Sequence, residues 1–309
     1  MSCSNSPVTK NNNEIANLQT KEIKIKNNNN FDPPFKENEG FRFHYIFDQK
    51  DKTSLIHRIE EGETYKASVD ITNNFSFENS FRLFIFVDNK LTPVLNNDKN
   101  VNFIDFTSLQ PYESKTEYFS LDNLSDGKHE LVALLVRKPE KYLLKEEYIN
   151  FVNFTKEFTI IKGKKSNGSS AKKTRTIEIE DSNSLGPKLT YLTRQDARKD
   201  PKNAITIINS DKRVFKSTLN FWNELPDTVY SIIAMDNNDQ IKLEDSQYNV
   251  KNTGAASLNL DLPLKSSIKN HNIIILLIKN TNNQNTNVEI AMSTNKITII
   301  HNDKKTEFD

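Results

Sequence analysis

Five short apolar runs of this chain occur twice, in the same order, and that constrains its fold more than any other feature. "GFRFHYIF" (40–47) matches "GPKLTYLT" (186–193), and "YKASVDITN" (65–73) matches "FKSTLNFWN" (215–223). "RLFIFVDN" (82–89) matches "VYSIIAMDN" (229–237), both closing on Asp-Asn. "HELVALLVRK" (129–138) matches "HNIIILLIKN" (271–280), and "FTII" (158–161) matches "ITII" (297–300). A run that recurs in order, with the same polar punctuation, marks one module written twice. Each copy must then bury its own core.

The runs are short, β-branched or aromatic, and bounded by Asn, Asp, Gly or Pro, which is strand chemistry. "YKASVDITN" and "TEYFSLDNL" (116–124) alternate apolar and polar residues, as strands with one buried face do. Residues 131–136 are apolar on both faces, so the strand they form needs cover on each side. Ser125-Asp126-Gly127-Lys128 supplies a turn ahead of it, with Gly127 free to take a positive φ. About seven strands per copy and no long amphipathic segment predict an all-β chain of two tandem antiparallel β-sandwiches. The pattern resembles immunoglobulin-like or fibronectin-III-like domains of the bacterial surface type. It lacks the paired cysteines of antibody domains, and Trp222 falls on the second matched strand, so both cores must stand on packing alone.

Composition sets the boundaries. Lys+Arg 42 against Asp+Glu 41 leaves a net charge of +1, with no global field to draw the chain onto nucleic acid. No run reaches the ~18 apolar residues of a membrane helix. Residues 1–35 are Asn/Lys-rich and read as a disordered tether, 36–163 as the first sandwich, 176–303 as the second, and 304–309 as a disordered tail. Between the sandwiches, 164–175 reads as a flexible basic linker that lets them move on a hinge. Lys162, Lys164, Lys165, Lys172, Lys173 and Arg175 around it are candidate contacts for a polyanion such as lipid headgroups. A solvated linker held extended by its own charge is the other reading.

Cys3 excludes an internal disulfide and any Cys-based zinc site, being the single cysteine. Ser2-Cys3-Ser4-Asn5 resembles the mature end of a bacterial lipoprotein, whose leading cysteine is lipidated. The resemblance implies that Cys3 carries a lipid anchor and that the chain sits outside the cytoplasm, attached to the membrane. If Met1 is native, a cytoplasmic chain is the alternative.

Catalytic constellations are missing from the sequence. The G-x-x-x-x-G-K-[ST], G-x-G-x-x-G, H-E-x-x-H and G-x-S-x-G patterns do not occur, and the seven glycines argue against phosphate-cradling loops. His44, His57, His129, His271 and His301 have no metal-ligand spacing, so no metal and no cofactor is expected. His129 and His271 hold equivalent places in the repeat, which points to a role in the fold. "MDNNDQ" (235–240) reads as an Asn/Asp turn rather than a calcium loop. Where the copies differ, "KPEKYLLKEEYINFVNF" (138–154) in the first is longer and more apolar than the polar "NTNNQNTN" (280–287) in the second. Its Leu143, Leu144, Tyr148, Phe151 and Val152 are candidates for contact with a protein or glycan partner, or a plug for their own sandwich end. The expectation is a non-catalytic, membrane-anchored lipoprotein acting as a binding, adhesion or structural module through its sandwich-end loops. The alternative is an accessory or solute-binding subunit with a ligand held between the two domains.

Overall fold

The computed structural model describes residues 40–47, 56–141, 154–163, 174–177, 190–196, 204–205, 207–210, 212–265, 267–280, 291–294 and 296–301. No helix occurs among the described residues; every regular element is a strand. The first half contains β1 (Phe41–Phe47), β2 (Ile56–Ile59), β3 (Tyr65–Asn73), β4 (Asn79–Val87), β5 (Lys90–Leu91) and β6 (Val94–Asn96). It continues with β7 (Lys99–Val101), β8 (Ile104–Leu109), β9 (Ser114–Leu121), β10 (Gly127–Arg137) and β11 (Phe154–Lys162). The second half contains β12 (Arg175–Ile177), β13 (Tyr191–Arg194), β14 (Ile207–Ser210), β15 (Val214–Asn223), β16 (Thr228–Asp236) and β17 (Asp239–Ile241). β18 (Gln247–Val250), β19 (Gly254–Pro263), β20 (Asn270–Asn280), β21 (Ala291–Ser293) and β22 (Ile297–His301) complete it.

Each half is a two-sheet sandwich. In the first, β1-β3-β9-β6-β7 faces β2-β11-β10-β4-β5, with β8 also on β4. In the second, β13-β15-β19 faces β14-β22-β20-β16-β18-β12, with β17 on β16 and β21 on β20. The repeated segments fall on equivalent strands: β1 and β13, β3 and β15, β4 and β16, β10 and β20, β11 and β22. Even the less usual parallel pairing of β2 with β11 recurs, as β14 with β22. Gly127 opens β10 at φ 130°, a conformation that favours glycine.

Alternation then sorts the side chains. Leu131, Ala133 and Leu135 of β10 enter the first core with Val69, Ile71 and Phe106. Ile273, Ile275 and Leu277 of β20 enter the second with Leu219, Phe221 and Leu262. The first core also encloses a polar chain: His57 Nδ1 lies 2.7 Å from the Tyr65 hydroxyl, which lies 3.0 Å from the Tyr45 hydroxyl. Burial pushes both phenols' pKa values up.

The opposite faces of β10 and β20 are apolar too, and they cover one another. Phe84 and Phe86 of β4 with Val132, Leu134 and Val136 of β10 pack against Ile233 and Met235 of β16 with Ile274, Leu276 and Ile278 of β20. The described strands therefore form four sheets that enclose three apolar layers. Two sandwiches moving on a hinge do not describe it, because a hinge would open this seam and wet ten buried apolar side chains.

Polar groups ring the seam. Gln240 acts as a strand surrogate: its Oε1 accepts from Leu91 N at 2.7 Å and its Nε2 donates to Asn89 O at 2.8 Å. Arg82 donates to Asn238 at 2.6 Å and Asn89 to Ser231 at 3.0 Å. At the far end the buried Lys296 ammonium donates to Lys138 O at 2.8 Å and also bonds the carbonyl of Lys141.

Truncating the seam tests this architecture. Leu134→Ala and Leu276→Ala are each expected to cost about 2–5 kcal/mol, as in a core. In urea unfolding, the double variant is expected to deviate from the sum by about 0.5–3 kcal/mol, as neighbours do and independent domains do not.

Candidate functional site

Both sandwiches close at one end with a His–Asp pair, drawn from the two strands whose motifs the repeat preserves. In the first, His129 Nδ1 lies 2.7 Å from Asp88 Oδ2. In the second, His271 Nδ1 lies 2.7 Å from Asp236 Oδ2. A serine precedes each histidine by four residues, Ser125 and Ser267. Their environments differ sharply. His271 and Asp236 have side chains 0% and 4% exposed, against 10% and 48% for His129 and Asp88.

Strand register explains the difference. β4 sets Val87 opposite Leu131, whereas β16 sets Asp236 opposite Ile273, the repeat equivalent of Leu131. Asp236 thus occupies the last inward-facing position of its strand, where the first copy has Val87. Asp88 instead sits one residue further on, in the two-residue turn Asp88-Asn89 between β4 and β5, where φ is 50° and 67°. Asp and Asn tolerate that left-handed conformation better than other non-glycine residues. A one-residue displacement moves the carboxylate from the core to the rim.

A cleft of about 460 Å³ opens beside the exposed pair. Val87, Leu95, Leu121 and Leu124 give it an apolar floor, and Asp88, Lys90, Asn100, Asp122 and His129 supply polar groups. A second cleft of about 380 Å³ shares Asp88 and Lys90 and is completed by Ile232, Gln240, Lys242 and Ser246 of the second sandwich. The two clefts flank the Asp88–Lys90 turn, one at the end of the first sandwich and the other on the seam. Both volumes fall within the range of small-ligand sites, about 300–1,000 Å³.

Ser125, His129 and Asp88 follow one another in the order of an acyl-transfer triad, and the geometry discriminates against that role. His129 Nε2 lies 2.8 Å from the Ser125 carbonyl oxygen and 3.4 Å from the Ser125 hydroxyl. A nitrogen facing a carbonyl at that distance presents a proton to it, whereas a general base needs its lone pair aimed at the hydroxyl. The ring holds the Ser125–His129 turn against Asp88, whose Oδ1 accepts from Glu130 N at 3.0 Å.

Several sequence candidates are placed differently from expectation. Lys162 is buried at the end of β11, its ammonium donating to Leu124 O at 2.8 Å, which removes it from any polyanion-contacting surface. It was misread because its neighbours in sequence are a basic run, while its own position continues the strand. Arg175 is exposed on β12, 3.6 Å from Asp245. Cys3, Lys164, Lys165, Lys172, Lys173, Leu143, Leu144, Tyr148, Phe151 and Val152 lie outside the described residues. The groove itself was missed, although the shared Asp-Asn endings and the paired histidines were the signal for it.

No family model and no curated protein matches the chain. Among solved structures it is similar to the CARDB domain of a Pyrococcus furiosus protein, at 12% identity and TM-score 0.28, covering 42% of this chain and 97% of that domain. It is also similar to the Escherichia coli chaperone DraB, at 7% identity and TM-score 0.25, over 84% and 95% of the two chains. A PapD-like domain of human CEP192 aligns at 9% identity and TM-score 0.23, over 44% and 95%. Likenesses this distant carry nothing about activity, and the sandwich assignment rests on the strand register described above.

Burial raises the Asp236 carboxyl pKa, and the hydrogen bond and charge of His271 lower it only in part. Folded Asp236 thus holds its proton to higher pH than the unfolded chain does. Its contribution to stability is greatest below the ordinary carboxyl value of about 4 and declines as pH rises through the raised value. Asp236→Asn is expected to remove that decline, read as a smaller drop in urea midpoint between about pH 4 and pH 7 than in the parent.

Proposed function

We propose that this chain is a non-catalytic binding module: two sandwiches locked back to back, which offer the groove at the Asp88–Lys90 turn to a protein or glycan partner. The observation that carries this reading is the contrast between the copies. The same His–Asp end is sealed in the second sandwich and open in the first, beside a cleft with an apolar floor and a charged rim. Duplicated modules keep their cores alike and specialise at loops and ends. The engaged Nε2 of His129 supports binding over chemistry. On this reading Cys3 is the lipid attachment point and holds the module on the outer side of a membrane; metabolic labelling with an acyl-chain analogue, lost in Cys3→Ser, tests that part.

The seam cleft favours a second reading, a small solute held between the sandwiches, because residues of both halves line it. Two charge reversals separate the readings. Asp122→Lys alters only the end cleft and Lys242→Glu only the seam cleft. Both positions are exposed or nearly so, and stability is expected to change by no more than about 0.5 kcal/mol. Capture of a partner from solubilised membranes is expected to fail with Asp122→Lys and persist with Lys242→Glu. The reverse pattern supports the seam reading, and no effect of either rejects the groove.

A further inference from the structure

The two copies also differ at a sheet edge. In the first sandwich, β9 is flanked on its outer side by the β6–β7 hairpin: Leu95 pairs with Ser120, and Asn96 Nδ2 donates to Tyr118 O at 2.8 Å. Residues 92–103, which build that hairpin, correspond to the shorter connection 242–246 in the second sandwich. The equivalent strand β19 therefore has β15 on one side and, among the described residues, no strand on the other.

β19 is a long and regular edge. All ten residues, Gly254 to Pro263, pair with β15 without a bulge. Leu264 N donates to Arg213 O, and the two-residue repeat then turns the backbone groups of Leu262, Leu260, Leu258 and Ala256 toward β15. The N–H and C=O groups of Ala255, Ser257, Asn259 and Asp261 point the other way. By pairing with β15, Asp261 and Asn259 are the counterparts of Ser120 and Tyr118, the two residues that β6 engages in the first copy. The side chains of Ala255, Asn259 and Asp261 are exposed. Natural edges are usually blunted by lysine, proline, a bulge or a covering element; β19 has no lysine, proline or bulge before Pro263 and, among the described residues, no covering strand.

We propose that β19 pairs antiparallel with β19 of a second copy of this chain, about a two-fold axis at Leu258. That register gives all four outward-facing residues a partner. Ser257 stands opposite Asn259, a hydrogen-bonding pair, and Ala255 opposite Asp261, so no like charges meet. Any isologous strand pair must be self-complementary in this way. The two three-stranded sheets become one of six strands, leaving the groove at Asp88–Lys90 on each copy as described. This pairing does not depend on the proposed function.

The test is sedimentation equilibrium of the full chain. The parent is expected to be a dimer at micromolar concentration. Asn259→Pro removes an outward N–H and no backbone bond to β15, losing there only the side-chain bond that Asn259 Oδ1 accepts from Thr218 Oγ1 at 2.9 Å, and is expected to be a monomer with an unchanged far-UV dichroism spectrum. Should that variant fail to fold, the double variant Ser257→Lys, Asn259→Lys sets ammonium against ammonium at both central pairs and is likewise expected to be monomeric. In a Cys3→Ser background, mixed Ser257→Cys and Asn259→Cys chains are expected to cross-link on oxidation. A monomeric parent, a dimer that survives in the folded variants, or a dimer without the cross-link overturns the proposal.

Discussion

The contact on which the rest of this structure depends is the one between the outer faces of β4, β10, β16 and β20. β10 and β20 are apolar on both sides, so each needs cover from two directions, and a lone sandwich provides only one. Left alone, each half would expose a contiguous patch of aromatic and aliphatic surface, which soluble proteins seldom tolerate. Packing the two patches together satisfies both halves at once, and duplication makes that solution available, because the two patches descend from the same strands. The seam is closed by directional bonds at its rim, of which the Gln240 amide, holding both backbone groups of the neighbouring edge, and the buried Lys296 ammonium are the clearest. A buried ammonium is tolerable only when carbonyl oxygens replace its water, and the Lys138–Lys141 turn supplies them.

A shared seam ties the two copies together, which leaves their divergence to the ends and edges. Two small changes account for most of it. A one-residue difference in where the aspartate enters the β4 or β16 turn decides whether the His–Asp pair is a core plug or part of an open cleft. The presence or absence of the β6–β7 hairpin decides whether the edge strand of the smaller sheet is covered. Both changes reach the apolar layers only at their margins, through Val87 against Asp236 and through Val94 of the hairpin, and the seam between the sandwiches includes neither. Core packing is conserved between the copies because its geometry is unforgiving, while turns and hairpins lie where backbone groups can be satisfied by water.

Much of the fold could be read from the chain. The repeat, the strand character of its segments and the two-sided apolarity of 131–136 all correspond to observed strands with the expected faces. What covers the second face of that strand was not legible, because period-two alternation says that a face is apolar without saying against what it lies. The equivalence of His129 and His271 pointed to a role in the fold, and His129 does hold its turn while both pair with an aspartate, but those carboxylate partners lie 41 and 35 residues away. Pairs at such separation are set by sheet register, which a local pattern does not encode. Lys162 was misplaced for a related reason: its charge argued for the surface, and only the approach of the Leu124 carbonyl turns it inward.

The sequence by itself determined that two like modules of β-strands would each bury a core, since alternation and turn chemistry are local properties carried by neighbouring residues. The tertiary structure decided that these modules share a third apolar layer, that one His–Asp end is open and the other sealed, and that β19 is the last strand of its sheet among the described residues. Those outcomes depend on which strands lie side by side and in what register, and that is fixed only when distant segments compete to remove the same surfaces from water.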